Sequence, residues 1–405
     1  MLDKIAKIVL FSAFLIIGMF LALAAPEYAG NTVTTESTGY KMGSIVSTSA
    51  EMTSSIYLPI VFRDYGPRSS RLGYCATDGP ITRYPAIRRL AAGWYLNFGV
   101  QRNPARPLGM EYVQTVRLHQ LTTCWPQRTR DRTACPYVTP YTYTLTSPNT
   151  REEIVAIAQA NKGSLWLIGN EMDRYDWEGG GQDEMLPEVY AVAYHELYHL
   201  IKAADPTARV GIGGVIQATP ARLWYLSRVW DTYRSRYGTD MPVDVWNVHN
   251  FIFKEKCDDY GADVPPGYPY CYGTVYDDNY HDNLEIFKQQ IRAFRQWMRD
   301  RGQQNKPLIV SEYGIVYFHV ERLNNWEAVK NFMLATFDYF MNEKDCSLGY
   351  PADDCRLVQR WAWYSLDDSR GIYNDYAYLF NQTTLQITPL GEAFAVYAQN
   401  HLDTR

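Results

Sequence analysis

Leu165-Trp-Leu-Ile-Gly-Asn-Glu171 and Leu308-Ile-Val-Ser-Glu-Tyr-Gly314 are apolar runs that each break off in a glutamate. An apolar run this short, punctuated by Gly, reads as a strand of a parallel sheet covered on both faces. A carboxylate where such a strand runs out stands at the rim of a barrel, where α/β enzymes keep their chemistry. Glu171 and Glu312 are therefore a candidate catalytic pair. Paired carboxylates are the equipment for splitting a glycosidic bond, one as proton donor and the other as nucleophile or base.

Working outward from these tracts, short apolar runs alternate with longer helical patterns, which predicts βαβ units and a parallel sheet. Strands are expected at 72–76, 93–98, 112–118, 165–171, 210–215, 243–251, 308–314 and 360–366, and helices at 151–161, 187–204, 221–237, 283–301, 326–342 and 391–401. Eight strands predict a (β/α)8 TIM barrel. In that order Glu171 ends the fourth strand and Glu312 the seventh, so the two carboxylates converge across the mouth. The long aromatic and acidic segments 173–184 and 254–280 follow strands on the same side and are expected to wall a cleft.

The chain has 405 residues and a net charge of only -5, with Lys and Arg scattered, which argues against nucleic acid as a partner. Aromatic residues make up 15%, including 33 Tyr and 11 Trp, a supply of flat rings that can stack on sugars. A charged start, Met-Leu-Asp-Lys-Ile-Ala-Lys, runs into apolar residues 8–25 that end in small side chains, the anatomy of a signal peptide over 1–25. Left uncleaved, that stretch is long enough to serve as a membrane anchor. Residues 26–55, rich in Ser and Thr, read as a flexible spacer, and 56–405 as the catalytic domain. The expected product is secreted or held at the cell surface, and monomeric. Seven Cys in an exported chain suggest disulfides, with Cys124–Cys135, Cys257–Cys271 and Cys346–Cys355 as the short-loop pairing and Cys75 left over.

Gly169-Asn170-Glu171 and Ser311-Glu312-Tyr313-Gly314 resemble the acid/base and nucleophile motifs of clan A glycoside hydrolases, the retaining (β/α)8 enzymes. The resemblance spans most of 71–399 and takes in Ile201-Lys-Ala-Ala-Asp-Pro-Thr-Ala-Arg-Val210, Val243-Asp-Val-Trp-Asn-Val-His249 and Trp361-Ala-Trp-Tyr-Ser365. It implies hydrolysis of a β-linked glycan by double displacement, with no cofactor and no metal. Glu312, ionised, would be the nucleophile, and Glu171, its pKa raised by burial and by its neighbour's charge, the proton donor. Asn170 would hydrogen-bond the sugar 2-hydroxyl, and Trp361 would form the floor of the subsite next to the cleaved bond. Many members carry His-x-Tyr on the sixth strand, where this chain has His249-Asn250-Phe251. His249 is left as a sugar contact, and Tyr313 or Tyr364 would take the Tyr role. Trp94-Tyr-Leu-Asn97 is similar to the Trp-Tyr-Tyr-Asn of the "glycosyl hydrolase catalytic core" group of endo-β-1,3-glucanases, which makes Asn97 a further substrate contact.

Two other readings compete. His195-Glu196-Leu-Tyr-His199 matches H-E-x-x-H, in which two His one helical turn apart bind zinc and the Glu acts as base. Lys202 and Asp205 stand where the longer zinc-peptidase pattern needs Gly and a third His, no alternative third Glu follows, and the helix belongs on the outside of the barrel. The other is a glycan-binding protein on the same scaffold without turnover, suggested by the missing sixth-strand Tyr. Lesser signals are Arg117-Leu-His119, read as a cleft contact or a structural ion pair, and Asp367-Asp368-Ser369-Arg370, read as a solvated charge run or a sugar contact. The acidic 176–184 loop is expected to be solvated rather than to hold calcium.

Overall fold

The computed structural model describes residues 66–403; the signal-peptide and spacer expectations for 1–25 and 26–55, and the first residues of the expected catalytic domain, lie outside them. Ten strands and six α-helices are described: β1 Ser69–Cys75, β2 Ala92–Leu96, β3 Glu111–Tyr112, β4 Gln114–Gln120, β5 Tyr143–Ser147, α1 Arg151–Ala160, β6 Leu165–Ile168, α2 Pro187–Ala204, β7 Arg209–Ile212, α3 Pro220–Tyr237, β8 Trp246–Val248, α4 Leu284–Arg299, β9 Leu308–Tyr313, α5 Trp326–Asn342, β10 Arg360–Trp363 and α6 Pro389–Asn400. The helices start where local chemistry allows. Thr150 accepts from the Glu153 amide at 3.2 Å, Asn283 from Ile286 at 3.0 Å and Asn325 from Ala328 at 2.9 Å, each satisfying an amide that the first turn leaves without a partner.

The strands form a curled, parallel six-stranded sheet in the order β3-β2-β1-β10-β9-β8 and a four-stranded sheet in the order β5-β4-β6-β7. β5, which the sequence reading did not anticipate, is the antiparallel member, pairing with β4. Where one ladder of eight was expected, the described ladders are therefore two. Val113 alone separates β3 from β4 along the chain, and its amide still donates to the Tyr95 carbonyl at 2.9 Å. β7 and β8 meet through the isolated parallel bridges Gly211–Val245 and Val215–Val248.

The strand period of two divides the apolar side chains between two cores. Trp166, Ile168, Val310, Trp361 and Trp363 pack outward against the helices, while Leu165, Leu167, Ile309, Ala362 and Tyr364 face the inner core. Both faces of these strands are buried, which is why the sequence shows continuous apolar runs rather than alternation. The three expected disulfides are present, with Cα–Cα distances of 5.6, 5.0 and 4.8 Å for Cys124–Cys135, Cys257–Cys271 and Cys346–Cys355, and Cys75 is a buried free thiol. Among the described residues no helix is long and apolar enough to cross a membrane.

Candidate active site

Glu171 follows β6 at a sharp turn. Gly169 has φ +90° and Glu171 itself φ +52°, the left-handed region that is uncommon for non-glycine residues. The Glu171 amide donates to the Gly214 carbonyl at 2.9 Å, which fixes the turn against the segment after β7. Glu312 sits near the end of β9 and is almost wholly buried. His249, just past β8, lies between the two: its Nδ1 is 3.1 Å from Glu171 Oε1 and 3.6 Å from Glu312 Oε2. Its ring rests on Gly214, where any Cβ would overlap the imidazole, so the close approach requires glycine. One donor atom from each of Glu171, His249 and Glu312 falls within 4.8 Å of the others.

Two further groups grip Glu171. Arg174 Nη1 donates to Glu171 Oε2 at 2.8 Å, and Gln182 Nε2 donates to the same oxygen at 3.1 Å. Burial alone would push the Glu171 carboxyl up, but the Arg174 guanidinium and His249 more than offset it, and Glu171 is held below the usual carboxylate range. Glu312 has no such cation in contact. Burial raises it, His249 opposes and the Glu171 charge adds, leaving it at about 7. His249 is itself raised: burial works against its protonated form, and the facing charges of Glu312 and Glu171 prevail. Glu171 is thus pulled down and Glu312 pushed up, so the direction at Glu171 is opposite to the upward shift expected from sequence. The reason is Arg174, one helical turn's spacing along the chain from Glu171 but in a loop that carries no recognisable motif.

The pair opens onto a cleft of about 970 Å³, lined among others by Asn97, Asn170, Arg174, Trp177, Gln182, Phe253, Tyr260 and Tyr364. Asn170 donates through Nδ2 to the Gly181 carbonyl at 3.0 Å, and its amide donates to Asp183 at 2.9 Å. Asn97 accepts from the Tyr112 hydroxyl. The structure thus gathers Glu171, Glu312, Asn170 and Asn97 around one cavity, while His249 lies buried behind it against the two carboxylates and does not line it. Trp361 and Tyr313 lie elsewhere, which corrects both as sugar contacts. Trp361 is fully buried against Phe337 and Phe340 of α5, and the Tyr313 hydroxyl meets Thr336 of the same helix at 3.1 Å. On β10 strand alternation is the cause, the inward positions being Ala362 and, just past the strand, Tyr364; on β9 a register shift between Val310 and Tyr313 breaks the alternation and turns Tyr313 outward. Tyr364 is the aromatic residue of this segment that lines the cleft, its hydroxyl 3.0 Å from Asp368.

The lesser signals resolve similarly. The 176–184 loop is solvated only in part: Glu178 is exposed, whereas Asp176, Asp183 and Glu184 are buried and matched by Arg128 at 3.2 Å, Arg117 at 2.9 Å and Arg132 at 2.6 Å. Arg117 is accordingly both cleft-lining and ion-paired. Asp367 and Asp368 are buried as well, Asp368 receiving Arg370 Nε at 2.9 Å. In the His195–His199 motif, His195 stacks on Tyr237 at 3.6 Å and contacts the Tyr233 hydroxyl at 2.8 Å, while Glu196 takes the Tyr143 hydroxyl at 2.6 Å and pairs with Arg151. Those groups are spoken for on the outer face of α2. Among the described residues the convergent set of ligand-type side chains is Glu171, His249 and Glu312, and Arg174 already places a fixed positive charge on it, which disfavours a second cation there.

No family model and no curated protein matches the chain. Solved structures similar to it are GH128 endo-β-1,3-glucanases and other glycoside hydrolases of clan A type. The GH128 (subgroup II) endo-β-1,3-glucanase from Sorangium cellulosum is 15% identical with a TM-score of 0.47, covering 80% of this chain and 97% of that one. The GH128 (subgroup I) endo-β-1,3-glucanase from Amycolatopsis mediterranei, in complex with laminaritriose, is 16% identical with a TM-score of 0.48, covering 81% and 99%. A GH128 (subgroup VII) oligosaccharide-binding protein from Trichoderma gamsii is 12% identical with a TM-score of 0.43, covering 81% and 95%.

Proposed function

We propose that the chain is an exported, retaining glycoside hydrolase acting on β-linked glycans, with Glu312 as nucleophile and Glu171 as acid/base. The observation that carries this reading is the approach of the two carboxylates, whose facing oxygens come within 4.8 Å at the base of a long cleft. Retaining enzymes hold the pair about 5–5.5 Å apart, whereas inverting ones need about 6.5–9.5 Å to admit a water between carboxylate and sugar. The proposed scaffold is an eight-stranded (β/α)8 barrel in which residues 111–120 act as one strand; the bridges between β7 and β8 and the Val113–Tyr95 bond support it. The three disulfides support an oxidising destination.

In the first step Glu312 attacks the anomeric carbon, the bond to the leaving oxygen breaks, and Glu171 gives that oxygen its proton. In the second, Glu171 takes a proton from water, the water attacks the glycosyl ester, and Glu312 leaves. The reacting form needs the proton on Glu171, so a sugar oxygen arriving beside Glu171 has to weaken the Arg174 contact, after which the proton passes from Glu312 to Glu171. His249, within reach of both carboxylates, steadies whichever is charged.

Azide separates the roles. Glu312→Ala, supplied with azide and an aryl β-glycoside, is expected to release the α-glycosyl azide, and Glu171→Ala the β-glycosyl azide. If both variants hydrolyse the wild-type substrate at the wild-type rate, the glycosidase reading fails. If the two azide products are exchanged, so are the roles. The second reading, a glycan-binding protein without turnover, is favoured by the Arg174–Glu171 ion pair, which withholds the proton from the acid position. It predicts calorimetric binding of β-linked oligosaccharides with no product on long incubation.

A further inference from the structure

Four arginines line the cleft, and three are held by a carboxylate at hydrogen-bond distance: Arg117 by Asp183 at 2.9 Å, Arg174 by Glu171 at 2.8 Å and Arg370 by Asp368 at 2.9 Å. Arg130 differs. Its ion-pair partner, Asp263 Oδ2, stands 3.9 Å away, and its Nη1 reaches only the Asp259 carbonyl, at 3.3 Å. The Asp259 carboxylate is itself taken up by Lys254 at 3.2 Å and Lys256 at 3.5 Å. Arg130 instead lies over the Trp177 ring at 4.2 Å, and the Arg174 guanidinium lies 5.5 Å from the same ring. A half-buried guanidinium beside a second one, with no carboxylate at hydrogen-bond distance, is under-compensated: burial and the Arg174 charge both work against it, with Asp263 the main opposing group.

The loop that carries Arg130 is built to keep it there. Cys124–Cys135 closes the loop, and Arg128 and Arg132, two residues to either side, are anchored to buried Asp176 at 3.2 Å and Glu184 at 2.6 Å. Arg130 is thus projected between two tethers, and little further ordering is needed when a ligand arrives. The guanidinium fork matches a carboxylate in plane and spacing, and stacking on an indole leaves its N–H edge free to donate.

We propose that Arg130, laid on Trp177, is a subsite for the carboxylate of a uronic acid residue, so that the glycans taken by this cleft are acidic. The location along a sugar chain rests on the glycosidase reading; the anion site on Arg130 does not. The test compares glucuronate-bearing β-linked oligosaccharides with the same oligosaccharides after reduction of the carboxyl to a primary alcohol. Wild-type protein is expected to prefer the acidic form in kcat/KM, and Arg130→Gln to reduce the ratio of acidic to reduced substrate by about tenfold or more, as expected for a lost charge-assisted hydrogen bond. Arg130→Lys, which keeps the charge, is expected to retain part of the preference, and this separates anion binding from damage to the loop. An acidic-to-reduced ratio unchanged in Arg130→Gln overturns the subsite while leaving hydrolysis intact. If no glycan is cleaved but calorimetry shows Arg130-dependent binding of the glucuronate form, the subsite stands and the hydrolase reading falls. A preference for O-sulfated over glucuronate-bearing oligosaccharides overturns the carboxylate assignment.

Discussion

Arg174 sets the electrical state of the candidate site. Its 2.8 Å contact with Glu171 holds the more enclosed of the two acids below the usual carboxylate range, while Glu312, with no guanidinium in contact, rises to about 7. Arg174→Gln removes a positive charge felt by both carboxyls, so both are expected to move up, and the alkaline limb of the kcat/KM profile with them. An alkaline limb that stays where it is in the wild type would mean that Arg174 does not govern the pair. The two glutamates could be picked out from sequence because each interrupts an apolar strand. Arg174 could not, because a lone Arg in an irregular loop has no period or motif, and its value depends on where the loop returns. Gln182 was missed for the same reason.

At the scale of elements, a strand's period of two decides which aromatic residue meets the cleft. Trp361 carries the motif resemblance, yet its parity on β10 sends it into α5, and Tyr364 turns inward. Trp361→Ala is therefore expected to cost about 3–5 kcal/mol of stability, as large aromatic truncations in cores do, with KM for glycan unchanged in the folded protein. A tenfold rise in KM at unchanged stability would return Trp361 to the sugar. Helix positions were legible because 3.6-residue patterns, Pro at first turns and Asn or Thr caps are local signals. β5 was not: its neighbourhood is read from β4, with which it pairs, and the Tyr-Thr-Leu-Thr-Ser run alone carries no partner.

For the whole molecule, the site leaves a mark on stability. Glu312 has a folded pKa of about 7, above its unfolded value near 4.5, so between those values the native state holds a proton that the unfolded chain has lost. Its contribution falls as pH rises across that window. Glu171, lowered in the fold, contributes stability above its unfolded value that is lost as the pH falls below it, and His249, raised, contributes most below about 6.5. Glu312→Gln is thus expected to raise the thermal midpoint at pH 8 relative to wild type, with the gain shrinking toward pH 5. A gain that is constant across this range would place no bound proton on Glu312. The sequence by itself determined the alternation of strands and helices, the disulfide pairing and the two glutamates, because burial, spacing and strand termination are written locally. Only the tertiary structure decided the opposite shifts of the two glutamates, which β10-side aromatic residue meets the cleft, and which of the cleft's arginines is loosely paired. Each of these depends on distances between side chains far apart in the chain, and electrostatic energy follows distance and burial, not order in sequence.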